Sequence, residues 1–382
     1  MLLPSLAILL LLLAGLVLSI LIVRAVPRAS RAPAFERMWP TVSIIVPAMN
    51  EEGTIEPAMR SLLALDYPHY EIIAVNDRST DSTGRILDRL AIESNGRLRV
   101  THIETLPERW LGKCHALARA TETARGSWLL FTDADVVLAP DALRLAVAWG
   151  EGEASDHVVL FPQLLWHSRM EAAILTIFAM LYTFGFQTWR VRSRSRNGYV
   201  GVGAFNMVRR SVYDRFGGHE PLRMEIADDV KLGYLVKTVE GRSLAVASEG
   251  TVRVRWREGA LDTVRGIERS GFAGVGFAWW KVVGLELFCS AILLGPFILP
   301  WAAPTALMFA VNGTSILIIL LTYTLHARLH GLPPWIGVLH PVATLLLMWA
   351  FLRSAIVTTV RGGVGWRTTF YTIDELKQGS VP

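Results

Sequence analysis

The apolar run Trp128-Leu129-Leu130-Phe131-Thr132 ends in two acids one residue apart, Asp133 and Asp135. A buried strand that stops in carboxylates delivers negative charge to the rim of a sheet. In open α/β sheets that rim is where ligands bind. Two carboxylates there repel each other unless a cation joins them. The pattern suits a hard divalent ion with oxygen ligands, Mg²⁺ or Mn²⁺, arriving with a substrate phosphate. For the triplet alone, a turn or helix cap is the competing reading.

The segments around it specify the sheet. Thr41 to Val46 is a β-branched run stopped by Pro47, and Glu71 to Val75 is another, ending at Asn76 and Asp77. Glu56 to Leu65 lies between them and reads as a helix. Strand, helix and strand in that order imply a parallel sheet. Arg99 to Ile103, a helix from Lys113 to Arg125 and the Trp128 run add a third unit.

The chain is also too apolar for an ordinary soluble protein. Of its 382 residues 52% are hydrophobic and 19% charged, with a mean hydropathy of +0.38. A soluble domain plus membrane segments fits both. Leu2 to Val23 is uncharged, about the ~20 residues needed to cross a bilayer. Arg24, Arg28, Arg31 and Arg37 follow it rather than precede it. That favours an uncleaved anchor with the next residues in the cytoplasm over a signal peptide.

Met170 to Trp189 is apolar and is followed at once by Arg190, Arg192, Arg194 and Arg196. It is expected to lie in the interface with its arginines on lipid headgroups. Val282 to Ala303, Thr305 to Leu325 and Trp335 to Leu352 are three further candidate spans, the first two joined as a hairpin. Four spans in all would leave the C-terminus outside, against which Arg361 and Arg367 argue. The two cysteines, Cys114 and Cys289, exclude a disulfide framework and a cysteine zinc site. A net charge of +5 favours an anionic partner, membrane surface or nucleotide phosphate; no nucleic-acid motif is present.

Four polar clusters sit at the expected strand and helix ends. Pro47-Ala48-Met49-Asn50-Glu51-Glu52-Gly53 suits a loop that bonds a ligand and then caps a helix. Asp77, in Asn76-Asp77-Arg78-Ser79-Thr80-Asp81, can accept bonds from a nucleobase or ribose, while Ser79 to Thr83 also read as a helix start. Lys113 opens a helix, where a cation opposes the dipole unless an anion such as a diphosphate is near. Asp228 and Asp229 head a helical run, Val230 to Val239. They are either a helix cap or a crowded pair with a raised pKa, able to take a proton.

In this order the motifs P-A-M-N-E-E, V-N-D-R-S-T-D, G-K-C-H-A-L, D-A-D and D-D resemble the family 2 glycosyltransferases of GT-A fold, over about Val42 to Ser270. With its apolar segments the chain resembles the membrane subgroup of ceramide glucosyltransferase and of hopanoid-associated and carotenoid glycosyltransferases. The resemblance implies an α/β fold: a GT-A, Rossmann-like, mostly parallel domain at 38–270 containing the 170–190 interfacial helix. An anchor at 1–26, transmembrane helices within 280–360 and a tail at 361–382 complete the expected organisation.

The resemblance also implies roles. Pro47, Asn50 and Glu51 would lie beside the nucleotide, Asp77 on its base or ribose, Lys113 near the diphosphate and Asp133 facing the nucleotide. Asp135 would bind Mg²⁺ or Mn²⁺. Asp229 would be the catalytic base, with Asp228 where glutamate is usual. Gly201 to Arg210 corresponds to the glycine-rich acceptor-side segment.

Processive members carry Q-x-x-R-W after the base; here only Arg269, in Gly266-Ile267-Glu268-Arg269-Ser270, remains to meet the diphosphate. That argues against a polymer-extruding synthase. The implied activity is inverting transfer from a nucleotide sugar, of UDP type, to a membrane lipid hydroxyl, in the cell membrane with the catalytic domain cytoplasmic. Transfer to a polyprenyl phosphate or polysaccharide and an inactive scaffold of this fold are the alternatives. Arg253, Arg255 and Arg257 alternate with Val252, Val254 and Trp256, as a solvated strand face or one near the acceptor.

Overall fold

In the computed structural model residues 1–256, 259–302, 304–367 and 369–381 are described. Arg257 of the arginine alternation, and Ala303 at the end of one expected span, lie outside them. The chain forms two compact units. One holds residues 27–165, 186–255 and 374–382; the other holds 1–26, 166–185 and 256–373.

Ten strands build the first unit: β1 (Val42–Ala48), β2 (Tyr70–Asp77), β3 (Leu98–Ile103), β4 (Trp128–Phe131), β5 (Val136–Leu138), β6 (His157–Phe161), β7 (Gln163–Leu164), β8 (Asn206–Arg209), β9 (Ser243–Ala247) and β10 (Val252–Val254). Seven form one sheet in the order β3-β2-β1-β4-β8-β6-β9. All neighbours pair in parallel except β8, which runs against both β4 and β6. A mostly parallel sheet must bury both faces, and the strands show it. Ile44, Val46, Ile72, Ala74 and Leu130 enter one core, while Ile45, Ile73, Val75, Leu129 and Phe131 enter the other. The apolar runs read from the sequence are therefore continuous because alternate residues serve opposite cores.

Element boundaries moved slightly for physical reasons. β1 runs through Pro47 instead of stopping before it. Past Ile45 it has β2 as neighbour but no longer β4. The missing N–H of Pro47 is tolerated on such an edge. The expected helices appear at Ile55–Leu63, Gly112–Thr123 and Asp228–Thr238. In β10, Val252 and Val254 are buried while Arg253 and Arg255 are exposed, which is the solvated-face reading.

The apolar segment after β7 is the helix Arg169–Gly185. Strands from before it (β4, β6) pair with strands from after it (β8, β9) in one sheet. A single crossing here would part strands that share hydrogen bonds, so this segment does not cross. Residues 374–382 belong to the same unit as the sheet, with Leu376 buried. The chain leaves this unit after Arg255 and returns to it at Asp374.

The second unit is mainly helical, with one short hairpin of Gly363–Trp366 and Thr369–Thr372. Leu2–Ala25, Trp279–Ala302, Ala306–Leu329 and Pro334–Arg361 are each long and apolar enough to cross a membrane. Ser5 bonds Asn312 at 3.2 Å and Ser19 bonds His326 at 3.2 Å, each pair separated by 307 residues. Equal offsets mean that Leu2–Ala25 and Ala306–Leu329 lie side by side and run in the same direction. Small polar residues pairing across apolar helices are favoured where no water competes. Ala260–Gly274 joins this unit, packing on His340–Arg361 through Glu268–Arg353 (2.7 Å) and Phe272 N–H to Ser354 (2.9 Å). Residues 256–373 thus group with this helical unit, between the Arg255 and Asp374 limits of the sheet-containing one.

One close approach holds the Asp228–Thr238 helix to the chain before β8. A Cβ on Gly233 would stand 1.8 Å from the carbonyl oxygen of Val200. Gly233→Ala is expected to destabilise the protein by about 1–3 kcal/mol, the usual range for overpacking. Thermal unfolding in detergent should fall by ~2–4 °C per kcal/mol; an unchanged midpoint would show that the helix can slide away freely.

Candidate active site

The strand order places a topological switch point between β1 and β4: the chain winds outward through β2 and β3, then returns to the other side of β1. Crevices outside the carboxyl ends of such strands are where α/β proteins bind ligands. Asp77 ends β2, Pro47 stands near the end of β1, and Asp133 and Asp135 follow β4. Because β8 is reversed, its N-terminal end reaches the same rim and carries Gly201 to Phe205 there. The Asp133 N–H donates to the Gly203 carbonyl at 3.0 Å, and the Thr132 hydroxyl donates to Ala204 O at 2.8 Å. Gly203 has no room for a side chain: a Cβ would lie 2.3 Å from Asp133 Oδ2.

One pocket gathers Pro47, Lys113, Asp133, Gly203, Asn206, His219, Asp228 and Asp229. At its centre the Lys113 ammonium lies 3.0 Å from Asp133 Oδ1 and 3.4 Å from Asp228 Oδ1. Burial alone would make Lys113 easier to deprotonate, but Asp133, Asp228 and Asp229 outweigh it and hold its pKa well above the ordinary lysine value. Burial pushes the Asp228 carboxyl up, Lys113 opposes that, and Asp229 and Asp133 add to it. Asp229 is raised as well, by burial first, with Lys113 opposing and Asp133 reinforcing. Its oxygens accept the N–H groups of Gly203 at 2.7 Å and Val230 at 2.8 Å, which fixes the carboxylate in place.

Asp135 shows what this rim lacks in positive charge. Burial, then Asp133, then Glu51 push its pKa to about 7. A cation beside it would relieve that crowding, so the acids fit a divalent ion. Among the described residues no group of three or more His, Cys, Asp or Glu is placed to hold a metal by itself. Ions of the Mg²⁺ class often take one or two carboxylates and complete their shell with substrate phosphates and water.

The remaining sequence candidates divide. Asn50 accepts the Thr80 N–H at 2.8 Å and gives its own N–H to Ser79. The Glu51 and Glu52 N–H groups bond Thr83 and Asp81. The two loops therefore brace each other, and much of Ser79 to Thr83 is structural, as its helix-start pattern suggests. Asp77 is buried and is gripped on both oxygens by Arg78, at 2.7 and 3.0 Å. It abuts Gly112, where a Cβ would lie 2.4 Å from Asp77 Oδ2, so Asp77 stands against the start of the Lys113 helix. Arg269 is exposed on the Ala260–Gly274 helix of the other unit and is not among the residues of this pocket.

His219, Asn206 and Thr132 also line the pocket and were not singled out from sequence. His219 is buried, receives or gives a 2.6 Å bond with Tyr213 and meets the edge of Phe131; burial drives its pKa to about 3, so it stays neutral. Only the short spacing from the Tyr213 helix could have hinted at it.

The fold and this rim define a GT-A-type α/β domain. Residues 43–217 match the Glycosyl transferase family 2 profile. Two curated relatives are 4,4'-diaponeurosporenoate glycosyltransferases of Staphylococcus aureus. That of strain bovine RF122 / ET3-1 is 25% identical over 352 residues, 88% of this chain and 89% of the relative. That of strain Newman is 25% identical over 348 residues, 87% and 89%. In fold the chain is similar to the mannosyltransferase PcManGT from Pyrobaculum calidifontis, solved with GDP-Man and Mn²⁺, with a TM-score of 0.51, 19% identity and coverage of 94% of this chain and 98% of that one. The chain is a glycosyltransferase, and its family 2 match lies on residues 43–217. A carotenoid enzyme stands among its relatives, as the sequence resemblance implied.

Replacing Lys113 with Met removes the cation that opposes protonation of Asp228 and Asp229. The acid limb of the pH–rate profile is expected to move to higher pH, because carboxylates without a counter-charge hold protons longer. A profile with an unmoved acid limb would contradict the electrostatic role.

Proposed function

We propose that this chain is an inverting, non-processive glycosyltransferase that moves a sugar from a nucleotide-sugar donor, of UDP type, to a membrane lipid hydroxyl. The observation that carries this reading is the single pocket in which Lys113, Asp133, Asp228 and Asp229 converge. Asp133 faces the nucleotide, while Asp77, Pro47, Asn50 and Glu51 shape its side of the rim. Lys113 opposes the negative charge that grows on the departing diphosphate, and such preorganised charge is worth most in a dry site.

Asp229 receives the acceptor proton. Its raised pKa suits a base, since a carboxyl held above its ordinary value takes a proton more readily. The Gly203 and Val230 N–H groups aim it, and Asp228 supplies the crowding charge. Asp135 would hold Mg²⁺ or Mn²⁺, which when bound supplies further charge stabilisation to the diphosphate. Lack of the glutamine and tryptophan of the processive motif supports a single transfer.

The helix Arg169–Gly185 and its arginine-rich edge are proposed to lie on the cytoplasmic leaflet. Arg194 and Arg196 are exposed there. The chain is proposed to sit in the cell membrane with its sheet on the cytoplasmic side, consistent with Arg24, Arg28, Arg31 and Arg37 after the first apolar helix.

A second reading rests on the acceptor in the relatives' name, which is a carboxylate. An acceptor already ionised at neutral pH, as a carboxylate or a polyprenyl phosphate is, needs no base. The two readings separate in one assay of membranes with a nucleotide-sugar panel and total lipid extract. For a hydroxyl acceptor, Asp229→Asn is expected to cut kcat by roughly 10²–10⁴-fold with donor affinity nearly intact. For an ionised acceptor it should leave kcat near normal. If Asp228→Asn is the crippled variant and Asp229→Asn is not, the assignment within the pair is reversed.

Activity is also expected to vanish in EDTA and return with Mg²⁺ or Mn²⁺. Asp135→Asn should lose metal-dependent nucleotide binding while still inserting and folding; full turnover in chelator would remove the metal from the account.

A further inference from the structure

The acid pair is gripped from behind by a distant part of the chain. Val381 gives its N–H to Glu225 Oε2 at 3.2 Å and its carbonyl accepts from the Lys231 ammonium at 2.9 Å. Glu225 precedes Asp228 and Asp229, and Lys231 follows them. One residue of the tail thus bridges the two sides of the pair. Glu225 is only 7% exposed, so its contact is made in a shielded place.

The contact is more than a fraying end laid on a surface. Leu376 of the helix Ile373–Gly379 is buried. Gly379 lies so close to Met224 that a Cβ there would stand 2.5 Å from the Met224 Cβ. Val381 packs against the core cluster that contains Leu117 of the Lys113 helix and Leu232 of the acid-pair helix. On its other side the same segment is tied to the start of the Lys113 helix. Leu111 N–H donates to Arg223 O at 2.7 Å, and the Cys114 thiol donates to Glu225 O at 3.6 Å. Residues 223–229 are therefore held between the tail and the helix that carries Lys113.

We infer that residues 376–381 are a positioning strap: through Glu225 and Lys231 they set the place of Asp228 and Asp229 relative to Lys113 and Asp133. The strap acts on the step that moves the acceptor proton and leaves the donor side alone, because Asp133 and Pro47 are held by the sheet. Misplacing a reacting group by about 1 Å can cost on the order of 10²-fold in rate. The inference rests on the proposed role of Asp229 as base.

The test uses the full chain in detergent or nanodiscs, with UDP-glucose, UDP-N-acetylglucosamine and GDP-mannose as donors and total lipid extract as acceptor. Two variants are compared with the parent: one ending at Gly379, and Lys231→Met. With whichever donor turns over, kcat is expected to fall by about 10-fold or more while the donor KM stays within about twofold. Lys231→Arg, which keeps a donor for the Val381 carbonyl, should recover most of kcat. A purely structural tail would instead lower the unfolding midpoint and the active fraction, leaving kcat per folded molecule and the Arg–Met contrast flat; that result overturns the strap. Asp229→Asn is run beside them. If it loses turnover and the tail variants do not, the strap alone is wrong. If it keeps turnover, the base assignment and the strap fall together.

Discussion

The Lys113 ammonium stands between Asp133 and Asp228, and the rest of the site is arranged around that half-buried cation. Its side chain is 19% exposed and that of Asp228 8%, so water does little to screen either charge. Remove the lysine and Asp133, Asp228 and Asp229 face one another without a counter-charge, in a space that already penalises ionised groups. The helix Gly112–Thr123 must therefore start where it does, and Gly112 allows it to start against Asp77. The acid-pair helix is fixed from the other direction, with Asp229 tied to Gly203 and Val230. Three elements from three parts of the chain thus meet at one charge.

That meeting depends on the reversal of β8. A strand parallel to β4 would carry its N-terminal end to the opposite rim, and Gly203 could not reach Asp133. The reversed strand brings the glycine-rich segment to the carboxyl ends of β1 and β4. It also makes the sheet cross-link the residues before and after the helix Arg169–Gly185, which is why that helix stays on one side. Fold and topology are in this sense one constraint: hydrogen bonds between β4 and β8 forbid a crossing that hydropathy alone would permit.

Much of this was legible in the residues. The strands carrying Ile44, Ile72 and Leu130 were visible as β-branched or apolar runs, and the acids at their ends as a ligand rim. The pairing of Lys113 with an anion followed from a cation placed against a helix dipole; in the structure the anions are Asp133 and Asp228. What was not legible is of another kind. The Gly203 and Gly233 contacts are backbone approaches that leave no periodic trace. The tail's return to Glu225 and Lys231 is a long-range contact between residues with no local pattern. His219 enters the pocket only because the turn after Tyr213 folds back on Phe131. Arg269 was drawn toward the site by its sequence position, whereas its helix groups with the apolar unit.

The central claim is that residues from both sides of the Arg169–Gly185 helix, with the tail, form one unit on one side of a membrane. Cysteine accessibility tests it directly. Single cysteines at Ala154, Glu220 and Lys377, all exposed, would be placed in a chain with Cys114 and Cys289 replaced by serine. Sealed membrane vesicles of known orientation are then labelled with an impermeant maleimide, before and after permeabilisation. The account predicts that all three sites react from the same, cytoplasmic, side. Ala154 and Glu220 reacting from opposite sides would part the sheet across the bilayer and contradict the site built here.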